Sequence, residues 1–210
     1  MVQHKTRDKI GGRGESVRER VIDAAERLLR DGNADFSMRD LAAEAAVSFA
    51  TPFNQFGSKG AIMHALSERR TDTMATRFAE ARQPPDAASR VMLAVDTAVA
   101  VMLEEPGVNR AVMSWIGTGG GRPGQAWVRS IALWTVALGA GEGIPEDRRD
   151  LALQCLPRQL ALAFRGALSF WTAGELPDDG LSRDARAVAN TLLLGFIGRS
   201  PSPAEVRQPL

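Results

Sequence analysis

Along almost the whole chain, apolar residues recur at three- and four-residue spacing, and no segment alternates as a half-buried strand would. Val17, Val21, Ala24, Ala25, Leu28 and Leu29 form the first such stripe, running from Ser16 to a stop near Gly32. This spacing gives each helix one face to bury, so the chain is expected to be all-α. Ser37 is a good N-cap for the next helix. Asp40 stands where a capping box needs its carboxylate, and Phe36 with Leu41 is spaced as a hydrophobic staple. That helix is short, ending around Ala45, and a second short one is expected with Ser48 as its cap. Ser58 then caps a longer helix to roughly Ala81, with Ile62, Ala65, Leu66, Met74 and Phe78 turned inward. Pro84-Pro85 breaks the chain. Beyond it, helices are expected over residues 86–104, 108–116, 124–139, 147–173 and 182–198, with Pro157 expected to kink or interrupt the fourth. GTGGGRPG (117–124) and GAGEGIP (139–145) read as mobile connectors, and SPSPAEVRQPL as a frayed tail.

Composition then removes several classes of function. The 210 residues allow one large or two small domains with a real core. A formal net charge of +1 excludes a uniformly basic polyanion binder and leaves local patches open. Cys155 is alone, cannot form an internal disulfide, and fits a reducing cytosol. No stretch reaches about 18 consecutive apolar residues, so no membrane span is expected. The start, MVQHKTRDKIGGRGES, has basic residues but no apolar run and does not read as a signal peptide. A cytoplasmic protein is expected. There is no nucleophile elbow or dinucleotide fingerprint, and GTGGGRPG lacks both a preceding strand and a following Lys-Ser/Thr. His4 and His64 lack metal-ligand spacing, and Cys155 reads as packing. No enzymatic activity, metal or cofactor is expected.

AVSFATPFNQFGSKGAI (46–62) resists both ordinary readings. A buried segment would not hold Ser, Asn, Gln and Lys this densely, and a flexible loop would not hold three phenylalanines. Two short helices joined by a tight turn, behind an amphipathic helix, have the layout of a helix-turn-helix. Leu41, Ala42, Ala45 and Val47 face inward. The second short helix then presents Ser48, Phe49, Ala50, Thr51, Phe53, Asn54 and Gln55 at an edge able to enter a major groove. Thr51 can bond a base or cover a thymine methyl, and Asn54 and Gln55 can reach bases or phosphates. Pro52, early in the helix, stiffens it, while Phe56 anchors the turn. Lys59, just inside the following helix, would join that helix's free N–H groups on a phosphate. Ser37 and Arg39, at the head of the first short helix, complete the expected DNA contacts.

At these residues the chain resembles the tetracycline-repressor (TetR) family, whose signature is Val-Ser, a small residue with Thr, an aromatic-x-x-Phe and Ser-Lys. The resemblance runs from about Val17 to Met74, through Ala24, Leu28, Phe36, Leu41, Ala42, Val47, Ser48, Thr51, Phe56, Ser58 and Lys59. FRGALSFWTAGELPDDGLS looks like the family's final helix pair. One departure stands out: the family commonly has Tyr where Phe53 stands, so apolar contact replaces a phenol on phosphate. The resemblance implies an Ω-shaped homodimer with an N-terminal DNA-binding domain. Its C-terminal domain would bind a small effector and dimerise through the last two long helices. Most members repress transcription and leave their operator when the effector binds. On this reading residues 1–15 are a flexible basic arm, 16–62 the helix-turn-helix DNA-binding domain, 63–199 the ligand-binding and dimerisation domain, and 200–210 a flexible tail. In the arm, Lys5, Arg7, Lys9 and Arg13 outnumber Asp8 and Glu15. It could lie in a minor groove or serve as a solubilising leader, and the sequence weights these evenly.

The C-terminal half speaks to assembly and ligand. Leu153, Leu156, Leu160, Phe164, Ala167 and Trp171 repeat at helical spacing, and Val188, Leu192 and Phe196 form a second stripe. Gly166 and Gly195 permit close crossing. These stripes close the subunit's own core, or on different faces also build an intermolecular four-helix bundle. Trp115, Trp127, Trp134 and Trp171, with Met92, Met102 and Met113, suit an adaptable apolar cavity as well as a core. Asp96 in a largely apolar helix, and Arg165 beside Phe164, each need a partner if buried: one another, or the polar end of a ligand. A solvated position is the alternative for either. The expected ligand set is Phe78, Met92, Asp96, Met113, Trp115, Trp134, Phe164 and Arg165, for a small, mostly apolar effector. The function expected is a transcriptional repressor released from a palindromic operator, acting as a homodimer on double-stranded DNA. The alternatives are an activator or co-repressor-dependent regulator and, from another class, a helical ligand-binding protein with no DNA role.

Overall fold

The stripe that opens the chain lies on α1 (Lys9–Arg30), which starts well before Ser16. The computed structural model describes residues 9–116 and 125–197. Residues 9–15 of the expected arm are thus helical, since extending an existing helix needs no new nucleus; residues 1–8 lie outside the described residues. Gly32, at φ +78°, ends α1. The Gly32 and Asn33 amides donate back to the Leu29 and Leu28 carbonyls, the paired bonds of a Schellman stop. After α1 come α2 (Met38–Glu44), α3 (Ala50–Phe56), α4 (Lys59–Glu80), α5 (Ala87–Glu104), α6 (Pro106–Trp115), α7 (Gln125–Leu138), α8 (Glu146–Thr172) and α9 (Asp178–Ile197). The described residues are all-α.

They divide into two compact units, 9–70 with 102–116, and 71–101 with 125–197. Both divisions fall inside helices, α4 and α5. In the first unit, Val21, Ala25 and Leu29 of α1 close on Phe36, Leu41, Ala45, Ile62 and Leu66. Val108 and Val112 of α6 complete this core, with Trp115 partly buried against it. A charged belt surrounds it. Arg69 on α4 reaches Glu19, Asp23 and Glu26 of α1, and Arg70 pairs with Glu26. Arg70 Nε also donates to Asn109 Oδ1 at 2.8 Å. The buried Asn109 in turn donates to the Met102 carbonyl at 2.9 Å, so both ends of its amide are satisfied.

In the second unit, α8 packs along α7 and α9, burying Trp134, Leu138, Leu156, Leu160, Trp171, Leu181 and Leu193. Residues 139–145, expected as a mobile connector, form a pinned turn. Arg90 on α5 donates to the Ala137 and Leu138 carbonyls at 3.0 and 2.9 Å and pairs with Glu142. This satisfies carbonyls that the end of α7 leaves open. The connector at 117–124 lies outside the described residues. Pro157 does not interrupt α8, which runs through it unbroken. The missing N–H costs one bond, and the buried proline ring is held within a long packed helix.

Candidate nucleic-acid interface

The helix-turn-helix is assembled by short-range capping and then fixed from α1. The Asp40 amide donates to Ser37 Oγ at 3.2 Å and the Ser37 amide to Asp40 Oδ2 at 2.8 Å, the reciprocal box that starts α2. The amide and hydroxyl of Ser37 hold the Asp40 carboxyl below its ordinary range. The turn after α2 uses Ala46 at φ +52°, a left-handed position normally given to glycine. Arg20 of α1 closes that turn, donating to the Ala45 and Ala46 carbonyls at 2.8 and 2.9 Å. Arg18 does the same for α3: its Nη1 donates to the Gln55 carbonyl at 3.1 Å, and its guanidinium lies 4.1 Å over the Phe56 ring. Phe56 anchors the turn into the core as the sequence suggested. Arg18 and Arg20 were missed by sequence reasoning. They look like ordinary polar-face residues of α1, and only the fold shows which helix ends lie opposite them.

Ser48 does not cap α3 through its side chain. Phe49 already has helical dihedrals, and the Ser48 hydroxyl meets Thr51 Oγ1 at 2.7 Å instead of a backbone N–H. Phe49 and Phe53, 55% and 43% exposed, meet edge to face with centroids 5.6 Å apart. Arg39, exposed on α2, holds its guanidinium 5.6 Å from the Phe49 ring. Ser37, Ala50 and Asn54 are exposed, and Thr51 and Gln55 half-buried. Lys59 departs from its expected role as a free phosphate clamp. Its Nζ donates to the Ala34 and Phe36 carbonyls at 2.7 and 2.8 Å and lies 4.2 Å over the Phe36 ring. Partial burial pulls its ammonium below the ordinary value, against the pull of Asp35 and Asp40. α4 is capped as expected, with the Ala61 amide donating to Ser58 Oγ at 3.2 Å.

Residues 21–66, which include α2, α3 and the first part of α4 but neither Arg18 nor Arg20, match the family model described as bacterial regulatory proteins, tetR family. Over these residues the chain carries the helix-turn-helix of the tetR family of bacterial regulatory proteins. Its fold is similar to that of a TetR transcriptional regulator from Rhodococcus sp. RHA1, at TM-score 0.68 and 20% identity, covering 86% of this chain and 97% of that one. A TetR-like transcriptional regulator from the same organism aligns at TM-score 0.51 and 18% identity, over 87% of this chain and 97% of that one. At such identity the likeness is one of fold. No curated protein matches the chain in sequence.

The residues expected to hold an effector are divided between the two units. Met113 and Trp115 are on α6 in the first unit, where Trp115 packs beside the helix-turn-helix core and Lys59 lies 5.6 Å from its ring. In the second unit Trp134 is buried and meets Phe164 edge to face at 5.6 Å. Its Nε1 has no hydrogen-bond partner among the described residues. Phe78 is buried, and Arg165 is half-buried, its guanidinium held below the ordinary value by desolvation. Asp96 is not a buried anchor. It is exposed and pairs with Arg186 of α9, not Arg165, because its position on α5 faces the last helix. With Met92, this pair lines an open groove of about 520 Å³ that also includes Leu193 and Ile197. Among the described residues no three His, Cys, Asp or Glu side chains are grouped to hold a metal, and no helix is long and apolar enough to cross a membrane.

Proposed function

We propose that the chain is a homodimeric, cytoplasmic repressor that binds a palindromic operator through α3 and is released by a small, mostly apolar effector. The observation that carries the operator reading is the exposed, uncharged polar and aromatic face of α3, held rigid by Arg18 and Arg20. In this reading Thr51, Asn54 and Gln55 contact bases, with Ser48, Phe49, Ala50 and Phe53 beside them. Ser37, Arg39 and the third N–H of Lys59 meet phosphates. One such helix offers too little groove contact for tight binding, so two act together with centres about one helical turn or a multiple apart.

The second copy docks on the outer faces of α8 and α9. Leu162, Phe170, Val188 and Leu194 are exposed there, and a Cβ added at Gly166 or Gly195 would meet nothing within 4 Å. The inner stripe of Leu156, Leu160 and Trp171 is consumed by the subunit's own core, so different faces serve the two purposes. The effector is recognised by Phe78, Met92, Trp134, Phe164 and Arg165 in the second unit, where the Trp134 indole N–H can donate to an acceptor atom. It must favour one spacing of the recognition helices over the other, since equal affinity for both shifts nothing. The deciding experiment is a binding selection on random duplex DNA. A palindromic, steeply salt-dependent site is expected, and failure to enrich any sequence would refute the operator reading.

A further inference from the structure

α3 carries no ionisable side chain: its sequence is ATPFNQF. The commonest specific contact in a major groove, Arg or Lys bidentate to guanine, is therefore absent from this helix. Of the cations near it, Arg18 and Arg20 are spent on backbone carbonyls, and the Arg39 guanidinium is turned to the Phe49 ring. What α3 has in its place is an apolar edge. Phe49 and Phe53 are one helical turn apart on a single face and brace each other at 5.6 Å and 66°. They are the only large hydrophobic side chains exposed in the first unit among its described residues. Every other exposed large hydrophobic among the described residues belongs to the second unit. Within the first unit this apolar surface is thus confined, among the described residues, to the element read as facing DNA, and it is stiff: Pro52, which lies between the two phenylalanines in sequence, is buried, and Ser48 ties to Thr51.

A major groove displays one apolar group, the C5-methyl of thymine. Stiff aromatic rings lose little freedom when they cover it. We infer that Phe49 and Phe53 read thymine methyl groups, so that each half-site holds at least one thymine whose methyl, rather than its hydrogen-bonding edge, sets the affinity. This rests on the operator reading above and adds the chemical group that is read.

The test uses the full chain and the duplex enriched by the binding selection. Each thymine is replaced in turn by uracil, which removes the methyl and keeps every hydrogen-bonding group. A buried methyl predicts about a fourfold loss in affinity for one half-site. Symmetric replacement in both half-sites should cost on the order of fifteenfold by the same factor. In Phe49→Ala or Phe53→Ala the difference between thymine and uracil duplexes should shrink, and in the double variant it should vanish; because both rings are exposed the variants should keep the fold. Uracil tolerated at every position would overturn the inference while leaving operator binding intact. So would methyl dependence that persists undiminished in both alanine variants, since the reader would then be another side chain. A selection that enriches no duplex would take down both readings together.

Discussion

An ammonium has three N–H bonds, and Lys59 spends two of them on the carbonyls of Ala34 and Phe36. Its first duty is therefore to hold the segment between α1 and α2, with at most one N–H left for a phosphate. Lys59→Ala should lower the free energy of unfolding by about 1.5–3 kcal/mol, the range for hydrogen bonds involving a charged group. It should flatten the salt dependence of DNA binding by no more than about one phosphate. Urea denaturation beside a salt titration separates the two. An unchanged urea midpoint with weakened DNA binding would make Lys59 a phosphate contact alone. Asp96 illustrates the opposite outcome. It is solvated and paired across helices, where an ion pair is worth roughly 0–1 kcal/mol, so it does not anchor the core.

At the scale of elements, the belt between α1 and α4 makes the first unit sensitive to acid. Burial raises the pKa of Glu26, but the hydrogen bonds and charges of Arg70 and Arg69 outweigh it and leave the carboxyl below its ordinary range. A carboxylate depressed in the folded state stabilises it above the unfolded value. That contribution is lost as pH falls through the lower, folded value. Stability should thus decline on acidification, and Glu26→Gln should flatten this decline while lowering stability at neutral pH. Urea titrations over the acid range would show it, and parallel curves for both proteins would argue against it. α8 offers a second case. Pro157 costs a mid-helix bond, about 3 kcal/mol against alanine, while its two extra ring carbons contribute about 1.6 kcal/mol when buried. Pro157→Ala should therefore stabilise the protein by about 1 kcal/mol, read as a higher denaturation midpoint. A fall in that midpoint would mean that α8 needs the proline's shape.

For the whole molecule, the faces left open in one subunit carry the prediction. Gly166 and Gly195 have open space where a Cβ would sit and lie in regular helix, so a larger residue is tolerated in an isolated chain. Gly166→Leu or Gly195→Leu should keep the helical content and raise the monomer fraction seen in sedimentation. A dimer of undiminished strength in both variants would move the interface elsewhere. On the proposed two-helix reading of the operator, loss of dimer should also weaken operator binding.

Helix positions and several helix ends, though not the start of α1 or the cap of α3, were legible in the sequence because they depend on neighbours within a turn or two. The Ser37–Asp40 box, the Ser58 cap and the stripe Val21–Leu29 follow from spacing and side-chain chemistry alone. The helix-turn-helix was legible for the same reason, since a short half-polar, half-aromatic helix has few other uses. Tertiary structure decided everything that depends on which distant element lies opposite. It set Arg18 and Arg20 on the ends of α3 and α2, turned Lys59 onto backbone carbonyls, gave Asp96 to Arg186, and placed Trp115 with the first core and Trp134 with the second. Periodicity fixes which face of a helix is buried. The partner that buries it is chosen by packing of segments far apart in the chain, and that information is not local.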